Sequence, residues 1–100
     1  MANTDIAIDE KVKVVISEPK RWKVLLLNDD TTPMEFVIAI LVEIFKHNEN
    51  SARDIMLQVH ETGSGVAGVY SFEIAEAKAV EATNQARTNN HQLQIKLEEE

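Results

Sequence analysis

The sequence predicts a small α+β domain in residues 21–100, in which a three-stranded antiparallel sheet packs against three helices in the order β-α-α-β-α-β. Three observations support this fold class. Three short apolar runs are typical of strands, two helix-capping signals precede apolar helical periods, and one long segment repeats alanine at helical spacing. A chain of 100 residues has room for one modest hydrophobic core, so we expect a single domain.

The first strand is expected over Arg21–Leu27 (RWKVLLL), because this short apolar run ends abruptly at Asn28. A capping pattern then predicts the start of the first helix. Thr32 stands at the N-cap position, Pro33 at the first helical position, and Glu35 three residues after the threonine. This spacing is typical of a capping box with proline at the first helical position.

The first helix should run to about Lys46, and it carries more apolar residues than one buried face needs. Its core-facing stripe is expected to consist of Phe36, Val37, Ile40, Leu41, Ile44 and Phe45. Met34, Ile38 and Val42 are also apolar, but they lie outside that stripe. Either the helix is buried on nearly all sides, or part of it faces a ligand or a partner.

A second, shorter helix is expected from Ser51, which has Asp54 three residues later, to about Glu61. One of its faces carries Met56, Val59 and His60. Two glycines after this helix mark a turn. Val66–Tyr70 follows as the second strand.

The third helix is expected over Phe72–Asn89, with Ser71 as its cap. Small residues recur along it at Ala75, Ala79, Ala82 and Ala86. Such a narrow stripe lets a helix lie close to a sheet. Leu93–Leu97 (LQIKL) alternates apolar and polar residues and is expected to be the last strand, with one face buried.

The overall composition excludes several classes of function. A net charge of −7 argues against general binding to nucleic acid or anionic membranes, but it suits a site that receives a cation. The sequence has no cysteine, no signal peptide and no run near the roughly 18 apolar residues that span a bilayer. We expect a cytoplasmic protein, or less readily one of the plastid stroma. Residues 1–20 are interpreted as a flexible extension.

Few residues are candidates for a catalytic, binding or metal-ligating role. Asn28, Asp29 and Asp30 follow the first strand, where Asn and Asp often simply satisfy turn backbone groups. His60 lies on an apolar helix face. A histidine in such a position is more often a core or boundary residue than one that binds a ligand. The three histidines show no metal-ligand spacing, and no serine lies in a nucleophile motif. We therefore expect no metal, no cofactor and no catalytic residue.

Three segments together are more specific. The runs LNDDTTPMEFV (Leu27–Val37), MLQVH (Met56–His60) and GVYSFEIAEAK (Gly68–Lys78) closely resemble the ClpS family, in order and at the family's spacing, and the resemblance extends over Arg21–Leu97. Family members are adaptors of the bacterial-type N-end rule pathway. They bind proteins that expose an N-terminal Leu, Phe, Tyr or Trp and deliver them to the ClpA or ClpC unfoldase of the Clp protease.

The resemblance also implies roles for individual positions. Contacts to the substrate's α-amino group would come from Asn28, Asp29 and His60. The side-chain pocket would be formed by Thr32, Met34, Val37, Met56, Val59 and Leu93, with Asp30 at its rim. Met34 would act as a gatekeeper against β-branched N-terminal residues. Glu73 and Lys78 would contact the unfoldase, and the chain would act as a monomer.

The sequence departs from the family at two positions. Thr31 stands where an aromatic residue is common, and Ser64 stands where a basic residue is frequent. Two other interpretations were considered. A protein-interaction module like the ribosomal stalk C-terminal domain would explain the apolar surplus on the first helix, but it would give Asn28, Asp29 and His60 no shared task. A hydrolase using Asp29 and His60 would lack a nucleophile and a metal.

Overall fold

The computed structural model describes residues 19–100, and within them it has the predicted order β-α-α-β-α-β. The strands and helices, numbered in chain order, are β1 (Trp22–Leu27), α1 (Met34–Glu43), α2 (Glu49–Thr62), β2 (Ser64–Tyr70), α3 (Phe72–Thr88) and β3 (Gln94–Glu99). The predicted fold class is therefore confirmed. Residues 1–18, which hold most of the predicted flexible extension, lie outside the described residues.

The central strand of the sheet is β1, which pairs antiparallel with both β2 and β3. Along it, Val24 and Leu26 are fully buried, whereas Leu25 and Leu27 are only partly buried. This alternation is the pattern of a strand with one face against a core. The register to β2 shifts between Val24 and Leu25, where a β-bulge leaves Ala67 as the extra residue.

All three helices contribute to one core. α3 lies across the three strands, α2 packs against β2, and α1 packs against α2. Gly65 allows the close approach of α2 to β2, because a Cβ at this position would lie 2.8 Å from Cγ2 of Val59. The predicted stripe of α1 is buried at Val37, Ile40, Leu41, Ile44 and Phe45, and Phe36 is partly buried against the same core.

The predicted cap of α1 is wrong in its details. The helix begins at Met34, and its N-cap is Pro33, which has no side-chain capping bond. Thr32 lies one residue earlier, and its buried hydroxyl has no hydrogen-bond partner within the described residues. Pro33 itself is extended, with ψ of 146°, so it takes the N-cap position and the helix begins one residue later than the capping box requires.

The start of α2 also differs from the prediction. Its N-cap is Asn48, whose side-chain oxygen accepts a hydrogen bond of 2.8 Å from the backbone N–H of Ser51. α1 was expected to run to about Lys46, but it ends at Glu43. Ile44 is its C-cap, and Lys46 adopts a positive φ of 63°. The left-handed residue after α1 is Lys46, and Asn48, two residues later, caps the next helix.

The alanine stripe of α3 faces the sheet as predicted. Ala75, Ala82 and Ala86 are fully buried, and Ala79 is partly buried against the core. Since alanine adds only a methyl group, the helix axis can lie close to the strands without voids. The same closeness leaves no space for larger side chains.

We expect Ala82→Leu to destabilise the protein by about 1–3 kcal/mol, because extra methylene groups in a packed core force side chains and backbone apart. Urea denaturation would measure the change. Ala77→Leu is the matched control, since Ala77 lies on the exposed face of the same helix, and its free energy of unfolding should change little. Equal effects of the two substitutions would show that the stripe is not closely packed.

Candidate functional site

The candidate site lies where the end of β1 meets the end of α2. Leu27, the last residue of β1, pairs with Ser64, the first residue of β2. One residue further, the N–H of Asn28 donates a hydrogen bond of 2.9 Å to the carbonyl of Gly63. Gly63 ends α2 in the left-handed conformation, with φ of 95°. This junction brings the last turn of α2, which carries His60, beside the segment that follows β1.

A cavity of about 230 Å³ opens at this junction. It is lined by side chains from the segment after β1 and from the helices α1 and α2, namely Asn28, Asp29, Asp30, Thr32, Met34, Met56 and His60. The structure thus brings together all three residues expected at an α-amino group and four of the seven expected around a side chain. None of these lining residues is Lys or Arg, so the formal charges that the cavity offers are carboxylates suited to a cation.

Asp29 is held in place by its neighbour Thr31. The Thr31 hydroxyl donates a hydrogen bond of 2.7 Å to Oδ2 of Asp29, and the Thr31 N–H donates a longer one of 3.3 Å. Burial by itself raises the pKa of Asp29, but the side-chain and backbone groups of Thr31 and Thr32 more than offset it, so the net pKa is lowered. The largest lowering contribution comes from the hydroxyl of Thr32, which is buried beside this carboxylate.

Sequence reasoning noted Thr31 only as a departure from the family pattern and missed this role. The signal was present, because a threonine two residues after an aspartate can close a local side-chain turn. Because the pKa of Asp29 lies below its ordinary acidic value, its carboxylate is ionised near neutral pH, where an α-ammonium group is also largely charged. The site therefore keeps a fixed negative charge beside the exposed side chains of Asn28 and His60.

The two methionines of the cavity differ in exposure. Met56 on α2 is only 5% exposed, whereas Met34 at the start of α1 is 41% exposed. Met56 therefore forms part of the apolar interior, and Met34 stands at the edge where an entering group would meet it. Methionine is flexible and polarizable, so this pair can follow the shape of an apolar occupant.

Three predicted pocket residues lie elsewhere. Val37, Val59 and Leu93 are each at most 2% exposed, and they belong to the core rather than to the lining of the cavity. Their direct contact with an occupant of the cavity stays a prediction.

The two residues expected to contact an unfoldase lie on α3. Glu73 is exposed in the first turn of the helix. Lys78 is partly buried, and its Nζ donates a hydrogen bond of 2.8 Å to the carbonyl of Ile44 while it lies 5.4 Å from the centroid of the Tyr70 ring. Lys78 therefore also closes the C-terminal end of α1, where a cation is favourable.

Within residues 19–100 no cluster of three or more His, Cys, Asp or Glu side chains is arranged to hold a metal ion. None of the helices in this part of the chain is long and apolar enough to cross a membrane.

Comparison with known proteins identifies the family. The profile of the family described as "ATP-dependent Clp protease adaptor protein ClpS" matches residues 17–96. This chain belongs to the ClpS family. The predicted resemblance is thereby confirmed, and the family places the chain among the adaptors of the Clp protease rather than among stalk-like modules.

Curated ClpS proteins are similar over most of their length. The Shewanella halifaxensis "ATP-dependent Clp protease adapter protein ClpS" is 47% identical over 92 residues, which are 92% of this chain and 90% of that protein. The ClpS of Bdellovibrio bacteriovorus is 49% identical over 85 residues, which are 85% of this chain and 75% of that protein. The similarity therefore includes the cavity residues as well as the core.

A solved ClpS structure is similar in fold. Agrobacterium tumefaciens ClpS2, determined bound to L-phenylalaninamide, superposes with a TM-score of 0.80 at 42% identity, over 83% of this chain and all of that one. The ligand of that ClpS2 carries a free α-amino group and an aromatic side chain.

We expect Gly63→Ala to cost about 1–2 kcal/mol of stability, because an L residue is strained in the left-handed conformation. A Cβ at Gly63 would meet no atom within 4 Å, so the whole effect should come from the backbone. Gly63→Asn should cost less, since asparagine tolerates this conformation. Thermal unfolding of the two variants would measure the difference, and an Ala variant as stable as the Asn variant would contradict the explanation.

Proposed function

We propose that this protein binds the N-terminal residue of other proteins, with preference for Leu, Phe, Tyr and Trp, and delivers them to a Clp unfoldase for degradation. The observation that carries the proposal is the composition of the cavity. Asn28, Asp29 and His60 offer acceptors beside the two methionines Met34 and Met56. An N-terminal residue presents a matching pair of groups, a charged amine and a side chain.

The polar part of the cavity suits the amine. An α-amino group has an ordinary pKa of about 7.7–8.0, so it is largely charged near neutral pH. It can donate to the Asn28 amide oxygen, to the Asp29 carboxylate and to an unprotonated His60 nitrogen. Hydrogen bonds to charged groups contribute about 1.5–3 kcal/mol each. An internal residue cannot form these bonds, because its nitrogen is part of a peptide bond.

The apolar part suits one side chain. A cavity of about 230 Å³ is smaller than the roughly 300–1,000 Å³ of sites that hold drug-sized ligands. Burial of a Leu or Phe side chain contributes about 1.5–3 kcal/mol. After the costs of association are subtracted, we expect micromolar affinity, equivalent to about −8 kcal/mol. Such affinity allows the release that an adaptor needs.

Delivery requires a second surface, which we assign to the start of α3. Glu73 is exposed there, and the resemblance to the family gives Glu73 and Lys78 a role in contact with ClpA or ClpC. Because Lys78 also supports the end of α1, loss of its side chain would affect both stability and contact. Glu73 is therefore the cleaner position at which to test the unfoldase interface.

N-terminal acetylation of a peptide that begins with Phe should abolish its binding. Acetylation removes the charge and two of the three amine donors, and it leaves the carboxylate of Asp29 without a cation. Fluorescence anisotropy with the free-amine and acetylated forms of one labelled peptide would measure the two dissociation constants. Equal affinity of the two forms would contradict the proposed function.

Met34→Ala should admit N-terminal Ile and Val, because it removes bulk at the entrance where a β-branched side chain is widest. A methylene-scale change of fit shifts discrimination by about 1–3 kcal/mol, so the Leu-to-Ile affinity ratio should fall about tenfold or more. Ile74→Ala is the matched control, since Ile74 is 50% exposed and lies outside the cavity. An unchanged ratio in Met34→Ala would remove the gatekeeper role.

A further inference from the structure

A second concavity lies between α1 and α2, and the proposed function does not use it. It has a volume of about 330 Å³, and its apolar surface comes from Ile38, Ala39 and Val42 of α1. Val42 is 37% exposed, while Ile38 and Ala39 are partly buried. Ile38 and Val42 belong to the apolar surplus of the first helix, which lies outside its core-facing stripe.

The rim of this groove is acidic. Glu35, Glu43 and Glu49 border it, together with one cation, Arg53. The guanidinium of Arg53 lies 3.1 Å from the carboxylate of Glu49, one helical turn away. Among residues 19–100 neither Glu35 nor Glu43 takes part in an ion pair. The groove therefore combines an apolar floor with two uncompensated carboxylates, which favours an occupant that carries an apolar side chain and a cation.

The groove and the first cavity are both lined by residues of α1 and α2. Met34 lines the cavity, and Ile38 and Val42 follow it at intervals of four residues along one side of α1. On α2, Arg53 of the groove and His60 of the cavity are seven residues apart, which also places them on one side of the helix. The two concavities are thus neighbours along a single seam between α1 and α2.

We propose that this groove is an extended subsite that holds the residues following the N-terminal residue of the same bound chain, and that it favours an apolar residue followed by Lys or Arg. The inference rests on the proposed function. Its physical basis is the position of the groove and the cavity along the same two helices, together with the charge of the groove's rim. A chain anchored by its first residue is also the occupant at the highest local concentration.

The distances fit a short extended segment. Met34 and Val42 are eight residues apart, which is about 12 Å along a helix at 1.5 Å per residue. An extended chain advances about 3.3–3.6 Å per residue, so three to four residues cover this length. The third to fifth residues of a bound protein would therefore lie over Ile38 and Val42, beside Glu43.

The test compares labelled ten-residue peptides that all begin with Phe and differ only at the fourth and fifth positions. One has leucine then lysine, one has glycine at both, and one has leucine then glutamate. With the unaltered protein, the leucine-lysine peptide should bind about three- to tenfold more tightly than the glycine peptide. The glutamate peptide should lose part of that gain, and the difference should shrink with added salt.

Val42→Ser should reduce the advantage of the leucine-lysine peptide to less than about twofold, and Glu43→Lys should reverse the preference between lysine and glutamate at the fifth position. Val80→Ser is the matched control, because Val80 is an exposed valine on α3, 54% exposed. Equal affinity of all three peptides for the unaltered protein would overturn the subsite. So would an advantage that survives Val42→Ser, or one that Val80→Ser removes to the same degree.

Phenylalaninamide separates this proposal from the proposed function. It reaches only the first cavity, so its affinity should be the same for the unaltered protein, Val42→Ser and Glu43→Lys. If phenylalaninamide and the free-amine peptides bind but the fourth and fifth positions have no effect, the subsite alone fails. If the acetylated peptides bind as well as the free-amine ones, the proposed function fails.

Discussion

The site depends on the pairing of β1 with β2 at the point where both strands meet α2. The hydrogen bond from the Asn28 N–H to the Gly63 carbonyl continues the strand pairing by one residue. It therefore holds the polar turn after β1 next to the last turn of α2. Because Gly63 can adopt a positive φ of 95°, the chain reverses at once and β2 begins at the next residue. Asn28 and His60, 32 positions apart in the chain, line one cavity as a result.

The polar groups of the site are arranged around the carboxylate of Asp29. The hydroxyls of Thr32 and Thr31 lower the pKa of Asp29 below its ordinary value, and Thr31 does so through a hydrogen bond of 2.7 Å. The core beneath the site, by contrast, contains no buried polar or charged residue within residues 19–100.

Local sequence patterns predicted the type of each helix and strand correctly, but they did not predict all of the helix ends. The alternation around Val24 and Leu26 and the alanine repeat of α3 predicted a strand and a sheet-facing helix correctly, because each pattern reflects burial of one face. The predicted caps of α1 and α2 were wrong by one to three residues, whereas Ser71 is the N-cap of α3 as predicted. Pro33 is itself extended and caps α1, which also ends before the left-handed Lys46, and Asn48 rather than Ser51 caps α2. Which residue caps a helix depends on competing backbone conformations, and the composition of the segment does not show which of them is more stable.

The sequence by itself determined the fold class, the family and the chemical character of the site, because strand and helix periods, capping residues and the segment Asn28–Met34 are local properties of the chain. Only the tertiary structure decided which residues share a cavity. It placed Met34 and Met56 in the lining but Val37, Val59 and Leu93 in the core. It also showed that part of the apolar surplus on α1 borders a groove. The reason is geometric, since enclosure depends on how two helices lie against each other.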